Sequence, residues 1–375
     1  MTGTRQHESA TSNRVSEVVS AVVEQKLDLV ALAPSDNLFY TLGFSPIADE
    51  RLCLLLLSDH GAVFVVPALN AEQSAGHVTG VEFLPWADDD GFQSALEAGL
   101  ARVTPGGARR VAVDSLMRAD HLLALQREVD GSADYVTADV VLGGLRELKS
   151  TRELELLKES AHTADRAISA AMDACRTGIS EADVAAIAAA EFRAAGADDV
   201  GFIIVASGPN SALPHHHTGT RVLQDGDAVV IDLGGRRGGY WSDITRFAVV
   251  GEPTAECLEV IDVVEQAVQA AMAAARPGAT AGDVDAAARD TVEAAGYGEY
   301  FVHRTGHGLG VSVHEQPWIV ARSPEVLRDG MVFSIEPGIY LPGRFGVRLE
   351  EIVFLTTDGC ERLSELPRTA EIKAS

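Results

Sequence analysis

Two aspartates lie on apolar segments that flank a glycine-rich turn, and this placement is typical of a metal site. Asp232 ends the run Val-Val-Ile, and Asp243 lies on the second segment. Residues opposite each other in an antiparallel strand pair have Cβ atoms ~5 Å apart, so two ionised carboxylates placed there repel each other unless a cation lies between them. Ionised acids are rarely buried unpaired. The pattern therefore favours metal ligands over two solvated acids of a hairpin.

Three further segments complete an oxygen-rich set of candidate ligands. His307 lies between glycines, where bare backbone allows close approach. Glu336 ends an apolar strand before Pro337, and Glu350 shares a strand face with Arg348 by the two-residue period. Four carboxylates and one imidazole without a thiolate suit two hard or borderline divalent ions, Mn²⁺ before Co²⁺, Fe²⁺ or Zn²⁺. Two such ions about 3.5–4 Å apart can activate a water molecule and polarise a carbonyl group at once.

The part of the chain that carries these residues contains an internal repeat. Residues 167–196 align with residues 267–296 at a shift of 100, without a gap and with 14 of 30 positions identical. Arg, Met, Gly and Asp recur in register, which an alanine-rich composition does not explain. The frame resumes near Asp232 and Glu336, so each unit carries a carboxylate at the same place. Two helix–helix–strand units predict packing about a pseudo-twofold axis, with the paired carboxylates at their interface.

The elements that must position this site are predicted to follow a separate domain. Residues 1–12 are expected to form a disordered tail and residues 13–144 an α/β domain, with helices and strands assigned from apolar periodicity. The predicted helices are Val15–Leu27, Leu96–Ala101 and Leu116–Arg127, and the predicted strands are Val30–Ala33, Leu52–Leu57, Val63–Leu69 and Val111–Val113. Ser150 is a predicted helix N-cap, with Glu153 three residues later as in a capping box. We therefore place an α+β domain at residues 145–375.

Composition and charge exclude several classes of partner. A length of 375 residues predicts more than one domain. The net charge of −25, without a basic stripe, argues against nucleic-acid and membrane partners. Four well-separated cysteines without a CxxC pair are typical of a reducing compartment. The polar start lacks the apolar core of a signal peptide, and no apolar stretch approaches the ~20 residues of a membrane span. We expect a cytoplasmic protein.

The candidate ligands and their flanking motifs resemble the pita-bread metallopeptidases, and within them the Xaa-Pro peptidase branch with prolidase and aminopeptidase P. The motifs cover about residues 145–375 and are DLGG, SDxTR, HRTGHGLG, HExP, EPGIY and VRLEE. The resemblance implies a creatinase-like α/β N-terminal domain, an α+β pita-bread domain with its pseudo-twofold repeat, and a homodimer. It also implies hydrolysis of the N-terminal Xaa–Pro amide bond of short peptides by a hydroxide that bridges two divalent metals.

Ligand roles follow from this resemblance residue by residue. Asp232 is expected to be a terminal ligand of one metal, and Asp243 and Glu350 are expected to bridge both metals. His307 and Glu336 are expected to bind the second metal. Glu336 is also expected to move the proton of the bridging hydroxide.

The resemblance also implies roles beyond the ligands. His215, preferred over the adjacent histidines at 216 and 217, is expected to contact substrate near the scissile bond. His314 is expected to bind the carbonyl or its oxyanion. Arg348 and Thr245 are expected to hold the bridging carboxylates. Tyr340 either stabilises a substrate group or packs in the core, and His303 is expected to be structural.

One position departs from the pattern of some prolidases. An arginine directly after HExP grips the free carboxylate of a dipeptide in those enzymes, and this chain has Trp318 there. Unless Arg322 or Arg348 replaces that arginine, dipeptide specificity is in doubt. Aminopeptidase P-like cleavage of longer peptides and a same-fold hydrolase or lyase with a small non-peptide substrate therefore remain alternatives. A non-enzymatic binding protein is disfavoured because all five ligand positions are filled.

Overall fold

A computed structural model describes residues 2–75, 78–129 and 131–373, without the side chains of residues 2–12, 73 and 75. The chain divides into two compact units, Met1–Arg146 and Glu147–Ser375. The expected disordered tail, residues 1–12, lies outside the residues whose side chains are described. Within the described ranges, no helix combines the length and the apolar character needed to cross a membrane.

The first unit is an α/β layer structure. Its strands form one mixed sheet in the order β4-β3-β2-β1-β5-β6, in which β2 runs antiparallel to both neighbours and the remaining pairs are parallel. The helices are α1 (Thr2–Glu24), α2 (Asp36–Leu42), α3 (Ala68–Ala75), α4 (Gln93–Val103), α5 (Ala119–Glu128) and α6 (Asp139–Glu147). The strands are β1 (Leu29–Leu32), β2 (Leu54–Ser58), β3 (Gly61–Pro67), β4 (Glu82–Trp86), β5 (Arg110–Val113) and β6 (Asp134–Thr137).

The elements predicted from apolar runs are found in this unit with shifted ends, whereas α2, α3, α6, β4 and β6 were not predicted. The predicted third strand ends at Pro67, and Leu69 already belongs to α3. Edge strand β4 contains Pro85 and is mostly half-buried or exposed, so it lacks the continuous apolar run of a central strand. Helix α2 has only seven residues and depends on the Ser35 hydroxyl, which accepts the amides of the first turn.

The second unit contains longer helices and several antiparallel sheets. Its helices are α7 (Thr151–Ala174), α8 (Glu181–Ala194), α9 (Ala255–Ala274) and α10 (Ala281–Ala294). Its strands are β7 (Asp199–Ser207), β8 (Ala228–Arg237), β9 (Tyr240–Trp241), β10 (Ile244–Val250), β11 (Gly306–Gly308), β12 (Glu315–Ile319), β13 (Val332–Ile335), β14 (Gly338–Leu341), β15 (Phe345–Arg348), β16 (Glu351–Thr356), β17 (Gly359–Arg362) and β18 (Glu371–Lys373).

Helix α7 begins where the sequence predicts. The Ser150 hydroxyl accepts the Glu153 amide at 3.3 Å, and the Glu153 carboxylate accepts the Ser150 amide at 2.9 Å, which completes the predicted capping box. The buried side of the helix follows a three-to-four-residue spacing through positions 157, 161, 164, 168 and 171. This apolar stripe packs against β8 and β10 and fixes one side of the sheet that carries Asp232.

The internal repeat is confirmed in the backbone. Helices α7 and α9 end 100 residues apart, and α8 and α10 begin 100 residues apart. The turns between them use Gly178 and Gly278 at φ +90° and +89°, a left-handed conformation that favours glycine. Their amides donate to the carbonyls of Leu223 and Leu327 at 3.0 and 2.9 Å. The two halves are therefore built in the same way up to the strands that carry the candidate ligands.

Each half contributes one sheet to the site. The first has the order β18-β10-β8-β7, with β9 paired to β8, and the second has the order β12-β11-β13-β16-β17. Hairpin β14-β15 connects β13 to β16 along the chain. Helices α7 and α8 pack on the first sheet, and α9 and α10 pack in a second core with β13 to β16.

Candidate metal centre

The two aspartates lie on the same face of the β8–β10 ladder, but they are not directly opposite each other. Thr245 pairs with Asp232, and Asp243 precedes Thr245 by two residues. The expectation that the two aspartates lie directly opposite each other is therefore wrong, because Asp243 lies two residues away from the position opposite Asp232. The physical reason is the connection, in which β9 pairs with β8 and Ser242 donates its amide to Gly235 at 2.8 Å before β10 begins. The aspartates are consequently diagonal neighbours on one face.

Backbone hydrogen bonds bring the other three candidate ligands to the same place. His307 lies in the centre of β11. Glu336 follows β13, and its amide donates to the carbonyl of Thr305 at 2.8 Å. Glu350 lies between β15 and β16, and its amide donates to the carbonyl of Thr245 at 3.2 Å, which ties the second sheet to the first.

Five predicted ligands converge in one cluster. His307 Nε2 lies 3.2 Å from Glu336 Oε1 and 3.6 Å from Asp243 Oδ2. Three overlapping groups each offer ligand atoms within 4.8 Å of one another. They are Asp232 with Asp243 and Glu350, His307 with Glu336 and Glu350, and Asp243 with His307 and His314. This spacing of oxygen and nitrogen atoms fits divalent ions.

The electrostatics of the cluster favour a bound cation. Burial raises the pKa of Asp243 and Glu350 well above the ordinary carboxyl value, and the neighbouring carboxylates raise both pKa values further. Burial also raises the pKa of Asp232, against the opposing effect of Arg348. Oδ1 of Asp232 and Oε1 of Glu350 are buried and accept no hydrogen bond. Oxygens left without donors in a crowded group of acids fit metal ions, which supply the missing positive charge.

Glu336 behaves differently from the other acids. Burial alone would raise its pKa, but the hydrogen bond and the charge of His307 outweigh burial and lower the pKa of Glu336 to about 2. The Ser334 hydroxyl also donates to Glu336 Oε1 at 3.1 Å. Glu336 is therefore an ionised acceptor at neutral pH.

A hydrogen-bonded chain of supporting residues orients the carboxylates. Thr245 donates its hydroxyl to Glu350 Oε2 at 2.8 Å and accepts Arg348 Nε at 3.2 Å. Arg348 also pairs with Asp232 and donates to the Tyr340 hydroxyl at 2.8 Å. Burial raises the pKa of Tyr340 to about 12, so its hydroxyl keeps its proton. Tyr340 thus lies behind the ligands rather than in a separate packing site.

His303 continues this chain on the far side of Tyr340. Its Nε2 lies 2.9 Å from the Tyr340 hydroxyl, and its Nδ1 lies 2.7 Å from the carbonyl of Arg304. Burial lowers the pKa of His303, so the imidazole is neutral. These contacts agree with the structural role expected for His303.

The histidine run 215–217 separates into different environments. His216 Nε2 lies 2.9 Å from the fully buried Glu181, which also accepts the Ser207 amide at 2.8 Å. The His216 side chain is therefore held by its contact with Glu181. His215 is exposed, and the preceding Pro214 carbonyl accepts Arg348 Nη1 at 3.3 Å, which places this loop beside the cluster.

His314 lies at the accessible side of the cluster. Its ring meets the His307 ring edge-on, with centroids 4.3 Å apart. Desolvation, with added repulsion from His307 and Arg304, lowers the pKa of His314 to about 4. A neutral imidazole with a solvent-accessible face can donate a hydrogen bond to a substrate oxygen.

Sequence reasoning missed two buried ion pairs behind the site. Arg246 is fully buried on β10, lies 3.0 Å from Glu351, and donates to the carbonyl of Glu350. Lys149 Nζ lies 2.7 Å from Glu315 Oε1, and Glu315 directly follows His314. The signals were present, because an arginine in the apolar run 244–250 and the glutamate of HExP both require partners.

Comparison with known proteins now identifies the family. Residues 155–357 match the model described as Metallopeptidase family M24, and residues 14–148 match the Creatinase/Prolidase N-terminal domain. The chain belongs to metallopeptidase family M24, which confirms the predicted enzyme class and the creatinase-like and pita-bread folds. Family membership implies divalent metal ions.

Similar proteins cover nearly the whole chain. The chain is 40% identical over 361 residues to the probable dipeptidase PepE of Mycobacterium tuberculosis, covering 95% of each. It is 34% identical over 358 residues to the Xaa-Pro dipeptidase of Pyrococcus horikoshii, covering 95% of this chain and 98% of that protein. The crystal structure of dipeptidase PepE from Mycobacterium ulcerans matches with a TM-score of 0.90 and 37% identity, covering 98% of this chain and 99% of that one.

Proposed function

We propose that this metallopeptidase hydrolyses the amide bond between an N-terminal residue and proline, in dipeptides or short peptides, with two divalent ions per chain. The observation that supports it is the convergence of four carboxylates and His307 on one point, with Oδ1 of Asp232 and Oε1 of Glu350 left without donors. A buried group of like charges is stable only with compensating cations.

The ligands divide between the two ions as follows. Asp232, Asp243 and Glu350 would hold one ion, and His307 and Glu336 would hold the other, with Asp243 and Glu350 near enough to contribute to both. Oxygen-rich ligands with one imidazole favour Mn²⁺, with Co²⁺, Zn²⁺ or Fe²⁺ as alternatives. When bound, the metals activate water and polarise the scissile carbonyl. Arg348 and Thr245 keep the carboxylates in position through the hydrogen bonds described above.

Three side chains are assigned to proton transfer, to the carbonyl oxygen of the substrate and to contact near the scissile bond. The Glu336 carboxylate, 3.2 Å from His307 Nε2, accepts the proton released by the attacking water. His314 is neutral because its pKa is about 4, and its ring N–H donates to the carbonyl oxygen of the substrate. His215, on the exposed loop beside Arg348, contacts the substrate near the scissile bond.

Proline specificity is supported by the relatives and by the nature of the bond. An Xaa–Pro amide lacks an N–H, so peptidases that recognise that donor fail on it, whereas a site that acts through the carbonyl does not require it. The relative from P. horikoshii is named Xaa-Pro dipeptidase. Trp318 replaces the arginine found after HExP in some prolidases, and this favours aminopeptidase P-like cleavage of longer peptides as the second candidate.

The same enzyme is proposed to be a cytoplasmic homodimer. Its N-terminal domain is assigned to residues 13–144, and the whole metal site is assigned to residues 145–375. Light scattering of the purified protein measures the dimer directly, and a monomeric mass would refute that part.

The deciding experiment combines metal removal with two substrates. Protein stripped with EDTA and reloaded with Mn²⁺ is assayed on Ala-Pro and Ala-Pro-Ala, next to Asp243→Ala and the exposed-surface control Asp290→Ala. We expect Mn²⁺-dependent cleavage by wild type and the control, and loss of both metal and turnover in Asp243→Ala. Preference for the tripeptide would favour the aminopeptidase P alternative. A metal-loaded protein that cleaves neither, or an active metal-free Asp243→Ala, would refute the function.

A further inference from the structure

Trp318 lies directly beside the metal cluster. In the β11–β12 ladder it pairs with His307, and directly paired residues of an antiparallel ladder point to the same face. The indole is half-buried. Trp318 therefore forms part of the wall of the site at the position where some prolidases have an arginine.

A different arginine occupies the face of this indole. The guanidinium carbon of Arg304 lies 4.6 Å from the centroid of the Trp318 ring, within the range of a cation–π contact. Stacking of this kind holds the plane of a guanidinium while leaving its N–H groups free to donate. Arg304 precedes the candidate ligand His307 by only three residues and lies two residues before β11.

Arg304 has no acidic partner in the described part of the chain. It is half-buried, yet none of its side-chain N–H groups makes a hydrogen bond or ion pair with a described residue. Burial lowers the pKa of Arg304, and the charges of Glu336 and Asp243 act in the opposite direction, which places the guanidinium within electrostatic range of the cluster. Arg304 also contributes to the lowered pKa of His314. A partly desolvated guanidinium without an acceptor is costly unless a ligand supplies one.

The two arginines considered from sequence are unsuitable. Arg348 is buried and committed to Asp232, Thr245, Tyr340 and the Pro214 carbonyl. Arg322 is exposed, on a turn after β12. Neither arginine presents a partly buried guanidinium group with available N–H donors to the site.

We propose that Arg304, held over the ring of Trp318, binds the C-terminal carboxylate of a dipeptide substrate and replaces the arginine missing after HExP. This inference rests on the proposed function and adds its specificity determinant. A planar guanidinium can donate two parallel hydrogen bonds to a carboxylate, and a peptide amide offers neither the charge nor the second acceptor. Arg304 therefore favours dipeptides over peptides extended beyond proline.

The test compares a free carboxylate with its amide. Metal-loaded wild type, Arg304→Gln, Arg304→Lys and the exposed control Arg322→Gln are assayed on Ala-Pro and Ala-Pro-amide, with bound metal and melting temperature measured for each variant. In Arg304→Gln we expect kcat/KM for Ala-Pro to fall about 10- to 100-fold, chiefly through KM. The same constant for Ala-Pro-amide should change less than about threefold, because no charged contact is lost.

The remaining variants decide between binding of the carboxylate and a structural role. Arg304→Lys should lie between wild type and Arg304→Gln, because it keeps the charge and loses the fork, and Arg322→Gln should match wild type. Equal losses on both substrates, or no loss on Ala-Pro, would overturn the assignment of Arg304. A wild type that cleaves neither substrate would refute the proposed function and this inference with it, which distinguishes the two failures.

Discussion

Replacing Thr245 by valine removes one hydroxyl from behind the metal centre at nearly constant side-chain volume. That hydroxyl donates to Glu350 Oε2 at 2.8 Å and accepts Arg348 Nε at 3.2 Å, and Thr245 is fully buried. Because Glu350 Oε1 already lacks a donor, the variant leaves both carboxylate oxygens without protein donors. Partners of metal ligands contribute about 10- to 100-fold to metal affinity, and we expect a loss in that range for Thr245→Val. Such a loss equals about 1.4–2.7 kcal/mol of binding free energy.

The assay is calorimetric titration of the stripped protein with Mn²⁺, run on wild type, Thr245→Val and Thr245→Ser. Serine keeps the hydroxyl, so its Mn²⁺ affinity should stay within about threefold of wild type, since its hydrogen bonds are preserved. Unfolding in urea shows whether each variant remains folded during the titration. Unchanged Mn²⁺ affinity in a folded Thr245→Val would refute the role assigned to this hydroxyl. Equal losses in the serine and valine variants would attribute the effect to packing instead.

Two further predictions concern stability. Lys149→Met should lower the free energy of unfolding in urea by about 3–5 kcal/mol, because it removes the ammonium group that balances the charge of buried Glu315. Adding Glu315→Leu should recover most of that loss, and a double variant as unstable as the single one would contradict the reasoning. In metal-free protein, Asp243 and Glu350 have raised pKa values in the folded state, so their stabilising effect is full below the ordinary carboxyl pKa and is lost as pH rises through the folded pKa. The melting temperature of stripped protein should therefore fall relative to the Mn²⁺-loaded protein as the pH rises above the ordinary carboxyl range. A constant difference in melting temperature across the titration would contradict the raised pKa values of Asp243 and Glu350.

Local rules predicted much of this fold because the deciding interactions are close in sequence. The Ser150–Glu153 capping box is formed by residues three positions apart, and the repeat fixes equivalent glycine turns at 178 and 278. The diagonal relation of Asp232 and Asp243 was not predictable in this way. It depends on how β9 and the following residues connect two strands, and that connection changes the register without changing the apolar pattern.

In the site, too, features that depend on short motifs could be predicted, whereas contacts between residues far apart in the sequence could not. The residues that cluster could be located from their types and from their resemblance to a family, since each candidate ligand lies in its own short motif. The contacts behind them join residues about a hundred positions apart, as between Thr245 and Glu350 or Arg246 and Glu351. A single sequence can predict that a buried arginine needs an acidic partner, but only the fold shows which residue that partner is.

The proposed charges of the site would allow an acidic protein to attract a substrate carboxylate. The four carboxylates of the cluster carry −4 when ionised, and two divalent ions bound as proposed cancel that charge. Arg348 then adds one positive charge on the Asp232 side, and Arg304 adds another over Trp318. The metal-loaded site is therefore locally positive, although the chain as a whole carries −25. Under the proposed function, metal binding and dipeptide selection would be linked, because the bound ions would offset the acidic cluster beside the carboxylate that Arg304 is proposed to bind.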